Sequence, residues 1–136
     1  MTMSPTSLPP LLTDDDVLER VASLLGPATK DRCLWLLLVD GDRKQTPVLM
    51  PIEDTPPRPD PRMVDGLVRV LGQVADALVT SAGAGSAVFV LERTGHGTVT
   101  TADAAWGEAL RAVCESSGLG LLGVFTSTVD GVHRVR

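Results

Sequence analysis

The stretch Cys33-Leu-Trp-Leu-Leu-Leu-Val39 decides the fold, because it places seven residues in a row without a polar interruption. Such a run is typical of a β-strand that is buried on both faces of a sheet. Asp40-Gly-Asp42 then supplies a turn, and residues 46–52 form a second strand. Pro47 and Pro51 cannot donate ladder hydrogen bonds, so we predict an antiparallel hairpin whose second strand lies at the sheet edge.

Three helices are predicted from capping residues and apolar periodicity. They begin at caps in positions 13, 60 and 100, and end near residues 25, 80 and 117. The acidic triplet at residues 14–16 is interpreted as a charged first helical turn, rather than as a metal cluster. Gly66 and Gly72 lie inside the second helix, where we expect them to allow close packing against the sheet.

The remaining apolar runs predict further strands at residues 87–91 and 119–128, and a short terminal strand at 132–135. Because crossover connections are right-handed, we expect the spatial order 2-1-3-4 with strands 1, 3 and 4 parallel. The predicted fold is α/β, with a single mixed sheet of about four strands, strand 2 as an antiparallel edge, and about three helices. Residues 13–136 are predicted to form one domain after a flexible segment of residues 1–12.

Composition narrows the classes of function. The chain of 136 residues has a net charge of −5, and only 3% of its residues are aromatic, which argues against nucleic acid as a partner. Its longest apolar run is too short to span a bilayer, and the first ten residues do not resemble a signal peptide, so we expect a cytoplasmic protein without a membrane partner. The glycine-rich stretch at residues 81–86 precedes a strand and lacks a P-loop lysine, so it is interpreted as a connector, and no cofactor is expected.

The two cysteines and two histidines are far apart in the sequence. Cys33 and Cys114 are expected to be buried and reduced. His96 and His133 do not stand at a spacing that predicts a zinc site with either cysteine.

Ligands of open α/β sheets bind outside the carboxyl ends of the parallel strands, and this rule selects the candidate site. Asp40 and Glu92 are predicted to share a divalent cation there, with His96 as a proton carrier. The predicted ligand-binding residues are Asp42, Arg93, Thr126 and Ser127. The alternative is that the aspartates are turn residues, that Glu92 and Arg93 pair at the surface, and that His96 is solvated.

Four segments resemble small actinobacterial proteins of unknown function. They are Leu34-Trp-Leu-Leu-Leu38, Arg58-Pro-Asp-Pro61, the helix around Trp106, and Leu121-Leu-Gly-Val-Phe125 with Asp130-Gly-Val132. The resemblance extends from about Arg32 onward and rests on core and turn residues. It implies a shared bacterial fold family and carries no activity.

Two hypotheses of function follow from the sequence. The first is a non-enzymatic interaction or regulatory module that forms a homo-oligomer or binds a protein partner. Its interface would be the sheet edge at residues 46–52 or the proline-rich residues 53–61, which are otherwise a stiff connector. The second is a metal-dependent hydrolase that uses Asp40, Glu92 and His96.

Overall fold

The computed structural model describes residues 8–26, 28 and 31–136. Their elements are α1 (Asp14–Leu25), β1 (Cys33–Val39), β2 (Gln45–Ile52), α2 (Pro61–Leu78), β3 (Ser86–Glu92), α3 (Thr101–Ser117), β4 (Gly120–Thr128) and β5 (Gly131–Arg134). The strands form one sheet in the order β2-β1-β3-β4-β5. The predicted mixed α/β fold and the edge position of β2 are therefore confirmed, and the short terminal strand joins the sheet as β5.

The sheet is buried on both faces, which is why β1 needs an uninterrupted apolar sequence. Leu34, Leu36 and Leu38 face a core that they share with α2 and α3. Leu37 and Val39 face a second core, which α1 covers. Because side chains alternate between the two faces of a strand, a polar residue at any of these positions would enter one of the cores.

β1 runs antiparallel to β3, so the predicted parallel arrangement of these two strands is wrong. Val39 pairs with Ser86, which means that β3 begins where β1 ends. The chain makes two passes along the sheet between the end of β1 and the start of β3. β2 runs back to the end of the sheet where β1 starts, and the 18-residue α2 returns the chain to the end where β1 finishes. β3 therefore starts beside the last residue of β1 and runs in the opposite direction. β3 and β4 are parallel to each other, as predicted.

Local capping sets the first residues of the helices. Thr13 and Thr100 each cap a helix through a reciprocal capping box, and the side chain of Asp60 caps α2 ahead of Pro61. These are the caps that the sequence predicts. None of the helices formed by the described residues is long and apolar enough to cross a membrane.

The packed part of the chain begins before the predicted boundary at residue 13. Leu11 is only 1% exposed and belongs to the core beneath α1. Its N–H donates to the carbonyl oxygen of Arg43 at 2.7 Å, and its own carbonyl oxygen accepts from Arg43 Nε at 2.8 Å. Residues 1–7 of the predicted flexible segment lie outside the described residues.

Gly66 and Gly72 do not serve the close packing that the sequence predicts. A Cβ built on either residue meets nothing within 4 Å among the described residues. The close approaches are made elsewhere: a Cβ on Gly41 would lie 2.1 Å from the carbonyl oxygen of Gly83. The tightest position among the described glycines is therefore the β1–β2 turn, where it meets the connection from α2 to β3.

Replacing either helical glycine with alanine should stabilise the protein. Gly66→Ala and Gly72→Ala should each raise the free energy of unfolding by about 1 kcal/mol, because alanine loses less backbone entropy in a helix. Urea denaturation measures this, with Gly41→Ala as the control that should destabilise the fold. A loss of stability in Gly66→Ala or Gly72→Ala would mean that these positions are packed after all.

Candidate functional site

The carboxyl ends of β3 and β4 lie together at one end of the sheet, where the longest connections are also found. The backbone N–H of Arg93, just after β3, donates to the carbonyl oxygen of Ser127 in β4 at 3.0 Å. Residues 53–60 and residues 93–100, which lead into α2 and α3, are at this end too. We call residues 93–100 the β3–α3 loop and residues 53–60 the proline segment. Ligands of open sheets bind at this kind of position.

The β3–α3 loop is folded around the guanidinium group of Arg93, which is only 6% exposed. Nη1 donates to the carbonyl oxygens of Thr94 at 2.9 Å and His96 at 3.0 Å, and Nη2 donates to that of Thr98 at 3.2 Å. The Asp103 carboxylate accepts from Nε at 3.0 Å and from Nη2 at 2.7 Å. All five guanidinium donors are used, so Arg93 fixes the loop from inside.

Asp103 joins the loop to the first turn of α3. Its carboxylate also accepts the backbone N–H of Thr100 at 2.9 Å, and the Thr100 hydroxyl accepts the N–H of Asp103 at 3.0 Å. Burial works to raise the pKa of Asp103, but the hydrogen bonds and charge of Arg93, with the Thr100 N–H, outweigh it and hold the pKa below its ordinary value. Asp103 is therefore ionised at neutral pH.

Trp106, one turn further along α3, holds the proline segment. Its indole Nε1–H donates to the carbonyl oxygen of Pro56 at 3.1 Å. Thr55 secures the same segment to the sheet: its N–H donates to the carbonyl oxygen of Arg32 at 2.9 Å, and its hydroxyl oxygen accepts the N–H of Leu34 at 3.1 Å. Since residues three apart lie on the same face of a helix, one face of α3 anchors both connections.

A small cavity lies between these anchors. Its volume of about 10 Å³ is enough for about one water molecule. The lining residues are Arg32, Cys33, Thr55, Pro56, Leu91, Glu92, Arg93, Asp103 and Trp106. Glu92 is 5% exposed, and one of its carboxylate oxygens accepts the indole N–H of Trp35 at 3.0 Å.

The predicted cation site of Asp40 and Glu92 is wrong, because the two residues lie at opposite ends of the sheet. Glu92 pairs with Cys33 at the start of β1, whereas Asp40 follows the last residue of that strand. At about 3.3 Å per residue their backbones are more than about 20 Å apart. Asp40 instead accepts the backbone N–H groups of Asp42 and Lys44, so it stabilises the turn of the hairpin.

Asp42 lies at that same distant end, where its carboxylate accepts the hydroxyl of Thr80 at 3.0 Å. The other predicted residues, Glu92, Arg93, His96, Thr126 and Ser127, are all at the carboxyl end of β3 and β4. Within the described part of the chain, no group of three or more histidine, cysteine, aspartate or glutamate side chains is arranged to hold a metal ion.

Most of the predicted ligand-binding residues at this end bond to the protein itself. The Ser127 hydroxyl donates to the carbonyl oxygen of Gly26 at 2.7 Å. The hydroxyl of the fully buried Thr126 donates to the carbonyl oxygen of His133 at 3.5 Å. Arg93 is a buried partner of Asp103, so the alternative of a surface pair between Glu92 and Arg93 is wrong as well. His96 is exposed, as that alternative expects.

Sequence reasoning missed Asp103 and Trp106 as parts of this site. The sequence shows Asp103 only as part of a capping box, which is a local signal. Its pairing with Arg93, ten residues away, depends on how the loop folds back over the helix, and no fixed spacing in a sequence predicts such an ion pair. The bond from Trp106 to Pro56 joins residues 50 positions apart.

The cysteines are both buried, as predicted, and neither forms a disulfide within the described residues. Cys114 packs in the core between the sheet and α3, where burial raises the pKa of its thiol to about 11. Cys33 lines the small cavity at the start of β1. The Cys114 thiol is therefore un-ionised at neutral pH and is a poor nucleophile.

Asp103→Asn should make the protein less stable at neutral pH and remove part of its acid sensitivity. The substitution leaves the buried Arg93 cation without its partner, at a cost of about 3–5 kcal/mol. Because the pKa of Asp103 is lowered in the folded protein, the carboxylate adds to the free energy of unfolding in full above about pH 3.9, the pKa of an unfolded aspartate. This stabilisation is lost as the pH falls through the lower pKa of the folded state.

Urea denaturation from about pH 7 to about pH 2.5 tests this account of Asp103. The stability difference between the wild-type protein and Asp103→Asn should shrink as the acid protonates the wild-type carboxylate. Asp65→Asn, at an exposed position of α2, is the control and should show a small difference at every pH. A difference for Asp103→Asn that does not change with pH would contradict the ion-pair role.

No protein-family model, no curated protein and no solved structure matches this chain. The resemblance to small actinobacterial proteins stays an expectation.

Proposed function

We propose that this protein is a non-enzymatic interaction module that binds a protein partner through the exposed faces of the β3–α3 loop and the proline segment. The observation that carries the proposal is the double anchor on α3. Asp103, through Arg93, fixes the first connection, and Trp106 fixes the second. Two exposed segments are thus held in one arrangement by buried side chains.

Such an arrangement favours binding, because ordering a loop when a complex forms has an entropic cost. An immobilised side chain costs about 0.5–1.5 kcal/mol, and a surface that is already fixed avoids much of it. The exposed residues of the two segments include Pro57, Arg58, Thr94, His96, Thr98 and Val99. They combine apolar, polar and basic groups, as protein interfaces do.

The edge of β2 is a less suitable interface than these segments. The backbone N–H of Leu34 points toward β2 and donates to the hydroxyl of Thr55. Because successive residues of a strand direct their N–H and C=O groups to opposite sides, those of Trp35 point toward β3. Pro51, which pairs with Trp35, therefore has its nitrogen on the open edge of β2 and offers no N–H there. A proline at this position works against strand pairing with a second chain.

Affinity capture with matched surface variants tests the proposal. The double variant Arg58→Glu/Val99→Glu changes one residue on each exposed segment, and Val99 is 44% exposed. The control, Lys44→Glu/Val79→Glu, makes the same two kinds of change at the opposite end of the sheet, where Val79 is 56% exposed. Each immobilised protein is incubated with an extract of the cells that produce it, and the retained proteins are measured by quantitative mass spectrometry.

The proposal predicts a partner protein that the wild-type protein and the control both retain. The Arg58→Glu/Val99→Glu variant, the loop variant, should retain at least about tenfold less of it, since interface hot spots commonly contribute about 2 kcal/mol or more. Sedimentation of the purified protein in parallel identifies self-association. The proposal is wrong if the loop variant retains every specifically captured protein as well as the control does. It is also wrong if the wild-type protein captures nothing beyond a blank column.

A further inference from the structure

The middle of the proline segment is held to the rest of the molecule by few bonds. Residues 56–59, which we call the flap, consist of three prolines and one arginine, so three of the four have no backbone N–H to donate. Among the described residues, the flap makes one hydrogen bond, in which the Trp106 indole donates to the carbonyl oxygen of Pro56 at 3.1 Å. Segments with so few backbone bonds are the ones that open separately from a core.

The flap lies between two residues that are themselves well fixed. Thr55, just before it, is 4% exposed, and its hydroxyl oxygen accepts the N–H of Leu34 in β1. Asp60, just after it, caps α2 and accepts the N–H of Val64 at its carbonyl oxygen at 2.9 Å. Because proline rings fix φ, the residues between these two points move as one stiff unit.

The backbone is strained next to the first of these points. Asp54 has a φ of 57°, and Arg32, whose carbonyl oxygen accepts the N–H of Thr55, has a φ of 59°. Both values lie in the left-handed region that favours glycine. Strained residues of this kind cluster at switch regions and ligand clamps, so Asp54 marks the place where the flap hinges.

The flap covers groups that water could reach if it lifted. Trp106 is 2% exposed and Glu92 is 5% exposed, and both line the cavity of about 10 Å³ together with Pro56. That cavity has room for about one water molecule. When Pro56 moves away, water can therefore accept the indole N–H in its place, and opening does not leave a buried donor unpaired.

From these observations we infer that the flap opens and closes while the rest of the fold stays intact, and that opening uncovers the Trp106 indole and the cavity. Pro57 and Arg58 are displaced in the open state, so a partner that contacts them binds the closed state and holds the flap down. This last consequence rests on the proposed function. The opening itself does not, because it is measured on the isolated protein.

Hydrogen exchange of the Trp106 indole, followed by NMR of the isolated full chain in D₂O, tests the opening. The chain has two tryptophans, so Trp35→Phe assigns the two indole signals. Relative to a freely exposed group, the Trp106 indole should exchange at least about a hundredfold faster than the amide of Phe89, which is fully buried in β3. Low concentrations of urea should hardly change its rate, since a local opening exposes little surface.

A matched pair of variants separates the flap from general stability. Thr55→Val removes the hydroxyl that fastens the start of the flap, so the Trp106 indole should exchange at least about threefold faster relative to the Phe89 amide. The control, Thr128→Val, removes a hydroxyl at another fully buried threonine, in β4, where it accepts the N–H of Asp130. It should leave the ratio of the two rates unchanged.

Two results would overturn the inference. One is a Trp106 indole that is protected as strongly as the Phe89 amide and depends on urea as steeply, because it then exchanges only when the whole protein unfolds. The other is a ratio of the two rates that Thr55→Val and Thr128→Val change equally, because the flap then has no separate opening.

Discussion

The buried ion pair between Arg93 and Asp103 is the interaction on which the candidate site depends. Two charges inside a protein are costly unless they are paired and fully hydrogen-bonded, and here both conditions are met. The guanidinium group holds three loop carbonyl oxygens, and the carboxylate also caps α3. The end of β3, the β3–α3 loop and the start of α3 are therefore fixed together, and Trp106 extends the same support to the proline segment.

Strand direction decides which residues meet at this end of the sheet. Because β1 is antiparallel to β3, the β1–β2 turn is at the far end, packed against the connection that follows α2. The near end collects the connections into α2 and α3 and the β4–β5 turn. The two longest connections, residues 53–60 and 93–100, are thus both at the near end, and they supply the surface that we propose for binding.

The elements set by local rules could be predicted from the sequence. The apolar run at residues 33–39, the caps at positions 13, 60 and 100, and the prolines of β2 each act within a few residues, so their patterns are visible in the chain. The direction of β1 relative to β3 also follows from the predicted order of the elements, because a hairpin and then one helix bring the chain back to the end of β1. The expectation of parallel strands overlooked this count of chain crossings. The Arg93–Asp103 pair arises from a tertiary contact, which has no sequence spacing of its own.

The backbone order parameters of the β3–α3 loop, measured by ¹⁵N relaxation, test the central claim most directly. If Arg93 fixes the loop from inside, the amides of residues 95–99 should have order parameters near about 0.85, like those of α2. In Arg93→Lys, which keeps the charge but loses the planar set of five donors, the same amides should fall below about 0.6 while α2 is unchanged. A wild-type loop that is already flexible, or an Arg93→Lys loop as ordered as the wild type, would contradict the account.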